Sequence, residues 1–191
     1  MARADRRDEI TRAAFAGIAE KGFEGLRMRD VAARAGVNIA TVHYYFGSKE
    51  DLIAAAYRLL QDRFKAELPA DGTPDERLSA HLLGVIDTLI SDAELRRALA
   101  EIAQRAARDP ELARQIGAAE DAWLAELRGL VRQGVREGSW AVEVDPAAFA
   151  VTVVAMMKGA CMPTLLPGRP AELRAAVRQL ISWLTTDPGE R

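Results

Sequence analysis

Cysteine occurs once in this chain, at Cys161, so no intrachain disulfide can form and the paired-cysteine framework of small secreted domains is excluded. Cys161 reads either as a buried structural thiol or as a redox sensor with Lys158 one turn earlier as its cation. Histidine is nearly as scarce, with only His43 and His81. HExxH, GxSxG and a phosphate-cradling glycine loop are missing. A catalytic triad or zinc centre would need residues this chain lacks, so no enzyme activity, cofactor or metal site is expected. Carboxylate neighbours such as Glu120 and Asp121 project about 100° apart on a helix, which suits a solvated face better than acid–base work. No run of about twenty apolar residues is present to span a bilayer, and the opening MARADRRDEI is charged, unlike a signal peptide. A cytoplasmic protein without a membrane partner is the expectation. Strand signals are almost absent: Trp140 to Val144 alternates, but is too short and isolated to build a sheet.

What is abundant is helix-forming apolar sequence. Of 191 residues 49% are hydrophobic, enough for a sizeable core. Helix starts are written plainly. Asp109-Pro110 and Asp145-Pro146 pair a side-chain acceptor with a proline suited to the first helical position, Thr73 to Glu76 forms a capping box, and Asp92 and Pro170 mark two more starts. These predict an all-α fold of about nine helices, near 4–21, 28–35, 39–45, 49–67, 75–91, 93–107, 110–137, 146–160 and 170–185. The longest, roughly forty ångströms at 1.5 Å per residue, carries Ile116, Trp123, Leu127, Leu130, Val131 and Val135 as one stripe. Gly117, Gly129 and Gly134 weaken its interior relative to alanine, and Gly138 is a candidate terminator.

The stretch from Met28 to Leu52, MRDVAARAGVNIATVHYYFGSKEDL, reads as a helix-turn-helix. Val31, Ala32, Ala35, Val37, Val42 and Phe46 have helical spacing on either side of Gly36. Gly36 is the pivot, because glycine reaches positive φ without a Cβ penalty. The second helix turns Asn38, Thr41, His43 and Tyr44 away from Val42 and Phe46, a mixture that suits a DNA groove. Thr41 and Asn38 are expected at base edges or nearby phosphates, with Tyr44 and Lys49 on the backbone. Ser48 caps the next helix, and Lys49 beside that N-terminus is a candidate phosphate contact. Net charge is −2, but residues 1–65 hold 12 Lys+Arg against 9 Asp+Glu, leaving the remainder at −5. The basic excess accompanies the motif, and Arg3, Arg6 and Arg7 could track phosphates or simply fray.

On these residues the chain resembles the tetracycline-repressor (TetR) family of bacterial transcription regulators. The likeness runs from Ile10 to about Ile53 through Ala13, Ala14, Gly22, Phe23, the Ala-Gly-Val turn, Thr41, His43 to Phe46, and Ser48-Lys49-Glu50. Arg27 stands where that family usually has threonine and cannot accept a capping bond. Ile39 and Ala40 stand where it often has lysine and glycine, and His43 replaces a common tyrosine. The resemblance implies a helix-turn-helix DNA-binding domain over residues 1–47, with Arg27, Arg29, Asn38, Ile39, Ala40, Thr41, His43, Tyr44, Tyr45 and Lys49 as candidate contacts. Residues 48–191 would form a helical effector-binding and dimerisation domain.

The last two helices support that division. Ala147 to Met162 is apolar on nearly every side, which calls for burial all round, and a partner subunit is the simple solution. The resemblance implies a four-helix dimer interface, for which Val151, Val154, Ala155, Lys158, Leu173, Val177, Leu180 and Leu184 are candidates; a purely intramolecular core stays open. Trp123, Phe149, Met156, Met157 and Met162, with His81 as polar contact, could line an apolar cavity or be ordinary core. The expectation is a homodimeric repressor of an inverted-repeat operator in double-stranded DNA, released by a small hydrophobic effector. The alternatives are a regulator without a ligand and a helical protein-binding adaptor.

Overall fold

The structure, a computed structural model, describes residues 3–66, 68–140, 143–162 and 169–185. Among the described residues there are nine helices and no strand: α1 (Arg3–Gly25), α2 (Met28–Arg34), α3 (Ile39–Tyr45), α4 (Lys49–Ala66), α5 (Pro74–Ser91), α6 (Ala93–Ala106), α7 (Pro110–Arg136), α8 (Pro146–Ala160) and α9 (Pro170–Thr185). The all-α expectation holds. The first helix runs past residue 21 to Gly25, because Gly22, at φ 68°, kinks it without ending it. Within the alternating segment at Trp140 to Val144, residues 141 and 142 lie outside the described residues. No helix among the described residues is long and apolar enough to cross a membrane.

Capping chemistry explains the starts. Asn38 Oδ1 accepts from the Thr41 N–H, Ser48 Oγ from Asp51, Thr73 Oγ1 from Glu76, Asp109 Oδ1 from Leu112, and Asp145 Oδ1 from Ala147 and Ala148. The Thr73–Glu76 box is reciprocal. Each cap satisfies an N–H left open by the first turn, worth about 1 kcal/mol. Arg27 supplies no side-chain bond to α2, as its chemistry requires.

The chain divides into two compact units, Met1–Asp62 with Ala93–Ala119, and Arg63–Asp92 with Glu120–Arg191. Packing thus joins α6 and the start of α7 to the helix-turn-helix, a grouping no local sequence signal expresses. In the first unit α1 packs on α6 and α2, and α2 on α3. Ile10, Ala14, Ile18, Val31, Val42, Leu52, Ile53, Ala98, Ile102 and Leu112 form its buried centre. Full burial of each large aliphatic side chain contributes about 1.5–3 kcal/mol before chain entropy is set against it.

In the second unit α5 packs on α9 and α8. Leu78, Leu82, Val85, Ile86 and Leu89 of α5 are buried, as are Phe149, Val153, Val154 and Met157 of α8 and Val177, Leu180, Ile181 and Leu184 of α9. Trp123, Leu127, Leu130 and Val131 carry the α7 stripe into this core, whereas Val135 is only half-buried. Gly134 is there for packing: an added Cβ would stand 2.2 Å from Trp140 Cε3. Gly138 does terminate α7, with φ 74° and a Schellman pair in which Ser139 N–H donates to Gly134 O and Gly138 N–H to Val135 O.

Candidate nucleic-acid interface

The turn between α2 and α3 is another Schellman motif. Val37 N–H donates to Ala32 O at 2.9 Å and Gly36 N–H to Ala33 O at 3.2 Å, with Gly36 at φ 64°. Val31, Ala32, Val42 and Phe46 are buried beneath it. This leaves Asn38, Ile39, Ala40, His43 and Tyr44 exposed, Thr41 and Tyr45 half-buried, and Arg27 and Arg29 exposed at the start of α2. All eight positions proposed on the motif's outer side between 27 and 44 therefore reach solvent. Tyr45 packs against the core and meets Tyr44 edge-on, ring centroids 5.2 Å apart.

Two side chains have tasks that the sequence reading did not foresee. Asn38 Oδ1 also accepts from Thr41 Oγ1, at 2.9 Å, so Asn38 and Thr41 are tied to each other and only the Asn38 amide N–H groups remain for an outside acceptor. Lys49 turns inward, its ammonium donating to Phe23 O at 2.5 Å and lying 4.3 Å from the centroid of the Phe23 ring. Desolvation there pushes its pKa below the usual lysine range. This placement satisfies a carbonyl at the end of α1. The Lys49 side chain, a candidate phosphate contact in the sequence, is thus engaged with Phe23.

Phe23 is the centre of a clamp that sequence reasoning missed. Its ring also meets the Arg105 guanidinium, 4.9 Å from the centroid, and its N–H donates to Glu101 Oε2 at 3.2 Å. Arg105 reaches Asp109 at 3.2 Å, Glu24 at 3.8 Å and Glu50 at 3.9 Å. The only sequence signal was the Gly22-Phe23 pair; its α6 partners are 78 residues away for Glu101. Lys21 to Asp30 at 3.0 Å, and an Arg34–Glu20 pair, further join α1 to α2. The Lys21 hydrogen bond holds the Asp30 carboxyl below the usual carboxylate range. Arg6 pairs with Glu9, Arg7 stacks on Phe46 at 5.0 Å, and the Arg3 side chain lies outside the described residues.

Residues 10–56 match the family model described as bacterial regulatory proteins, tetR family, and residues 74–186, more than half of the chain, match the model described as BetI-type transcriptional repressor, C-terminal. The chain belongs to the TetR family of transcription regulators. Its exposed α3 lies within the stretch that matches the tetR family model. The regulator PksA of Bacillus subtilis is 33% identical over 87 residues, covering 44% of this chain and 42% of PksA. BetI of Rhizobium meliloti is 39% identical over 79 residues, covering 39% of each. The chain thus aligns with about two fifths of the length of these curated relatives.

Among solved structures, a protein described as a TetR-family regulator from a Rhodococcus species superposes with a TM-score of 0.86 at 26% identity, over 96% of this chain and 100% of that one. FadR of Bacillus subtilis in complex with stearoyl-CoA gives 0.76 at 21%, over 94% and 97%. A regulator of Saccharomonospora viridis in complex with choline gives 0.72 at 22%, also over 94% and 97%. The last two share the fold.

In the second unit of this TetR-family chain, Trp123 Nε1–H donates to His81 Nε2 at 3.0 Å, with the rings edge-on. The bond needs a lone pair on Nε2, so His81 is neutral with its proton on Nδ1. Burial pushes its pKa down to about 4. Phe149 and Met157 are buried around the same core and Met156 is half-buried. Met162 is 55% exposed and stands apart from them.

The interface candidates divide as well. Val154, Val177, Leu180 and Leu184, expected as dimer-interface candidates, are buried within their own chain and Leu173 is half-buried. The reason is that the apolar stripe of α9 is consumed by α5. Val151, 53% exposed, and Ala155 and Lys158 do face solvent, with Lys158 held by Glu120 at 2.6 Å. Trp183, which adds to the apolar content of α9 in the sequence, is 57% exposed on the outer side of that helix.

Proposed function

We propose that this TetR-family protein is a cytoplasmic homodimeric repressor that holds an inverted-repeat operator through two copies of α3 and leaves it when a small, mostly apolar effector enters the second unit. Residues 1–47 serve as its DNA-binding domain and residues 48–191 as its effector-binding and dimerisation domain. The observation that carries the reading is the match of residues 74–186 to a C-terminal model described for transcriptional repressors, on a unit whose core holds the neutral His81–Trp123 pair among apolar side chains. Such a core is where a helical protein accommodates a small ligand with one or two placed polar groups. His81, Trp123, Phe149, Met156 and Met157 are the residues assigned to it.

A second copy of the chain would cover Val151 and Ala155 of α8, Met162 just beyond its end, and Ala176 and Trp183 of α9, all of which lie exposed. Two-fold symmetry then presents two α3 helices to major-groove half-sites about 34 Å apart or a multiple of it. To release DNA a hundredfold, the effector must bind the release-competent state better by about 3 kcal/mol. The fold relatives that hold stearoyl-CoA and choline make these two compounds the first probes.

The test is to select bound genomic fragments with the purified protein and then titrate acyl-CoA thioesters, choline and a panel of lipophilic compounds against the complex. Release by at least one compound, weakened by Trp123→Ala while DNA affinity stays within about twofold, is expected. Bound DNA that no compound releases would leave a regulator without a ligand. A monomer in sedimentation, alone or on DNA, would remove the dimer.

A further inference from the structure

The first unit exposes two large apolar side chains among its described residues, and both are on α3: Ile39 at 46% and Tyr44 at 68%. Every other large aliphatic side chain of the motif is turned inward, Val31 and Val42 almost completely. Tyr44 carries a hydroxyl that can meet a phosphate. Ile39 has no polar atom. It is also a β-branched residue at the first position of a helix, where straighter side chains are better helix formers. Neither helix propensity nor core packing accounts for it.

The surroundings narrow what it can meet. Ala40, exposed and short, allows the backbone at the N-terminus of α3 to approach a surface closely. Asn38 and Thr41 spend Oδ1 and the hydroxyl proton on each other, so the first turn offers few free polar groups. In the major groove the base edges present donors and acceptors, with one apolar feature, the C5-methyl of thymine. We propose that Ile39 is a specificity-determining residue that packs against the C5-methyl of one thymine in each operator half-site. Its stiff χ1 pre-organises that contact at small entropic cost. The inference rests on α3 being the groove helix and goes further by naming the base.

The experiment uses the full-length protein and an operator selected from random DNA. One position per half-site, facing the N-terminal turn of α3, should be thymine in nearly all selected sequences. Replacing that thymine by deoxyuridine removes the methyl and leaves every hydrogen-bonding group in place. Affinity should fall about fourfold per half-site, the worth of one buried methyl. Ile39→Ala, with an unchanged circular dichroism melt, should bind the thymine and uracil operators equally, and Ile39→Val should keep part of the preference. A wild-type protein indifferent to uracil at every thymine, a selected half-site without such a thymine, or a preference that survives Ile39→Ala would each overturn the proposal. His43→Ala and Tyr44→Ala separate the premises. If they weaken operator binding while uracil is neutral, α3 reads DNA but not through this methyl; if they too are without effect, α3 is not the groove helix.

Discussion

Gly36 and Gly138 close their helices by the same Schellman pattern, at φ 64° and 74°, and neither would meet another atom within 4 Å if it carried a Cβ. The two turns lead to different ends. After Gly36 the chain restarts as a helix at Ile39, so the turn sets the direction of α3 and the face it presents. After Gly138, Trp140 folds back onto Gly134, and the turn completes a core. A helix stop is thus a local event in both units, while its use is decided by the next bulky or capping residue. The two units differ as well: the first adds to its aliphatic core the ionic and aromatic clamp around Phe23, whereas the core of the second holds the buried His81–Trp123 pair.

The largest effect is expected inside the second unit, at the aliphatic core that α5, α8 and α9 share. Val177→Asp buries an unpaired carboxylate and should cost more than about 4 kcal/mol, abolishing the cooperative melt seen by tryptophan fluorescence. The readout is specific because Trp123, Trp140 and Trp183 all belong to that unit. Trp183→Glu, on the exposed side of the same helix, should leave the protomer's stability within about 0.5 kcal/mol and yield monomers in sedimentation. Equal damage from both would put Trp183 inside the fold.

Phe23→Ala should come next, at about 3–5 kcal/mol, because it removes the ring that Lys49 and Arg105 share. Its effect should appear in far-ultraviolet circular dichroism and in lost DNA affinity, with the tryptophan signal preserved. A loss confined to the tryptophan signal would contradict the clamp.

A smaller effect distinguishes the buried histidine. Its folded-state pKa of about 4 lies below the unfolded value, so the unfolded chain takes up the proton first as pH falls. Stability is complete above about pH 6.5 and declines toward pH 4, by up to about 3 kcal/mol from this group. His81→Gln, which can still accept from Trp123, should flatten that decline when denaturant melts at pH 7 and 4.5 are compared. An unchanged pH dependence would show that burial does not hold the His81 pKa below its unfolded value.

The smallest effects separate the two glycine turns. Gly36→Ala and Gly138→Ala should each cost about 1–2 kcal/mol, from the left-handed conformation alone. Only the first should weaken operator binding, measured by fluorescence anisotropy.

The helices were legible because their signals are local: an acceptor followed by proline at Asp109 and Asp145, a capping box at Thr73, a glycine after α2. The outer side of α3 was legible for the same reason, since Val42 and Phe46 fix which way a seven-residue helix must turn. The bond from Lys49 to Phe23 was not legible because its acceptor is a backbone carbonyl 26 residues earlier, and carbonyls leave no trace in sequence. Val177, Leu180 and Leu184 were read as dimer-interface candidates because an apolar stripe shows that a surface is buried without showing by what.

The all-helical class, the helix starts and stops, the family and the side chains that α3 presents are all written in the amino-acid order. They arise from interactions spanning five residues or fewer, plus a compact motif. Tertiary packing was needed to join α6 and the first turns of α7 to the DNA-binding unit, to bring Glu101 and Arg105 onto Phe23, to hold His81 neutral against Trp123, and to leave particular apolar residues of α8 and α9 uncovered. Each of these depends on residues brought together from distant parts of the chain, or on the competition of several helices for one apolar face, and burial is a property of that arrangement as a whole.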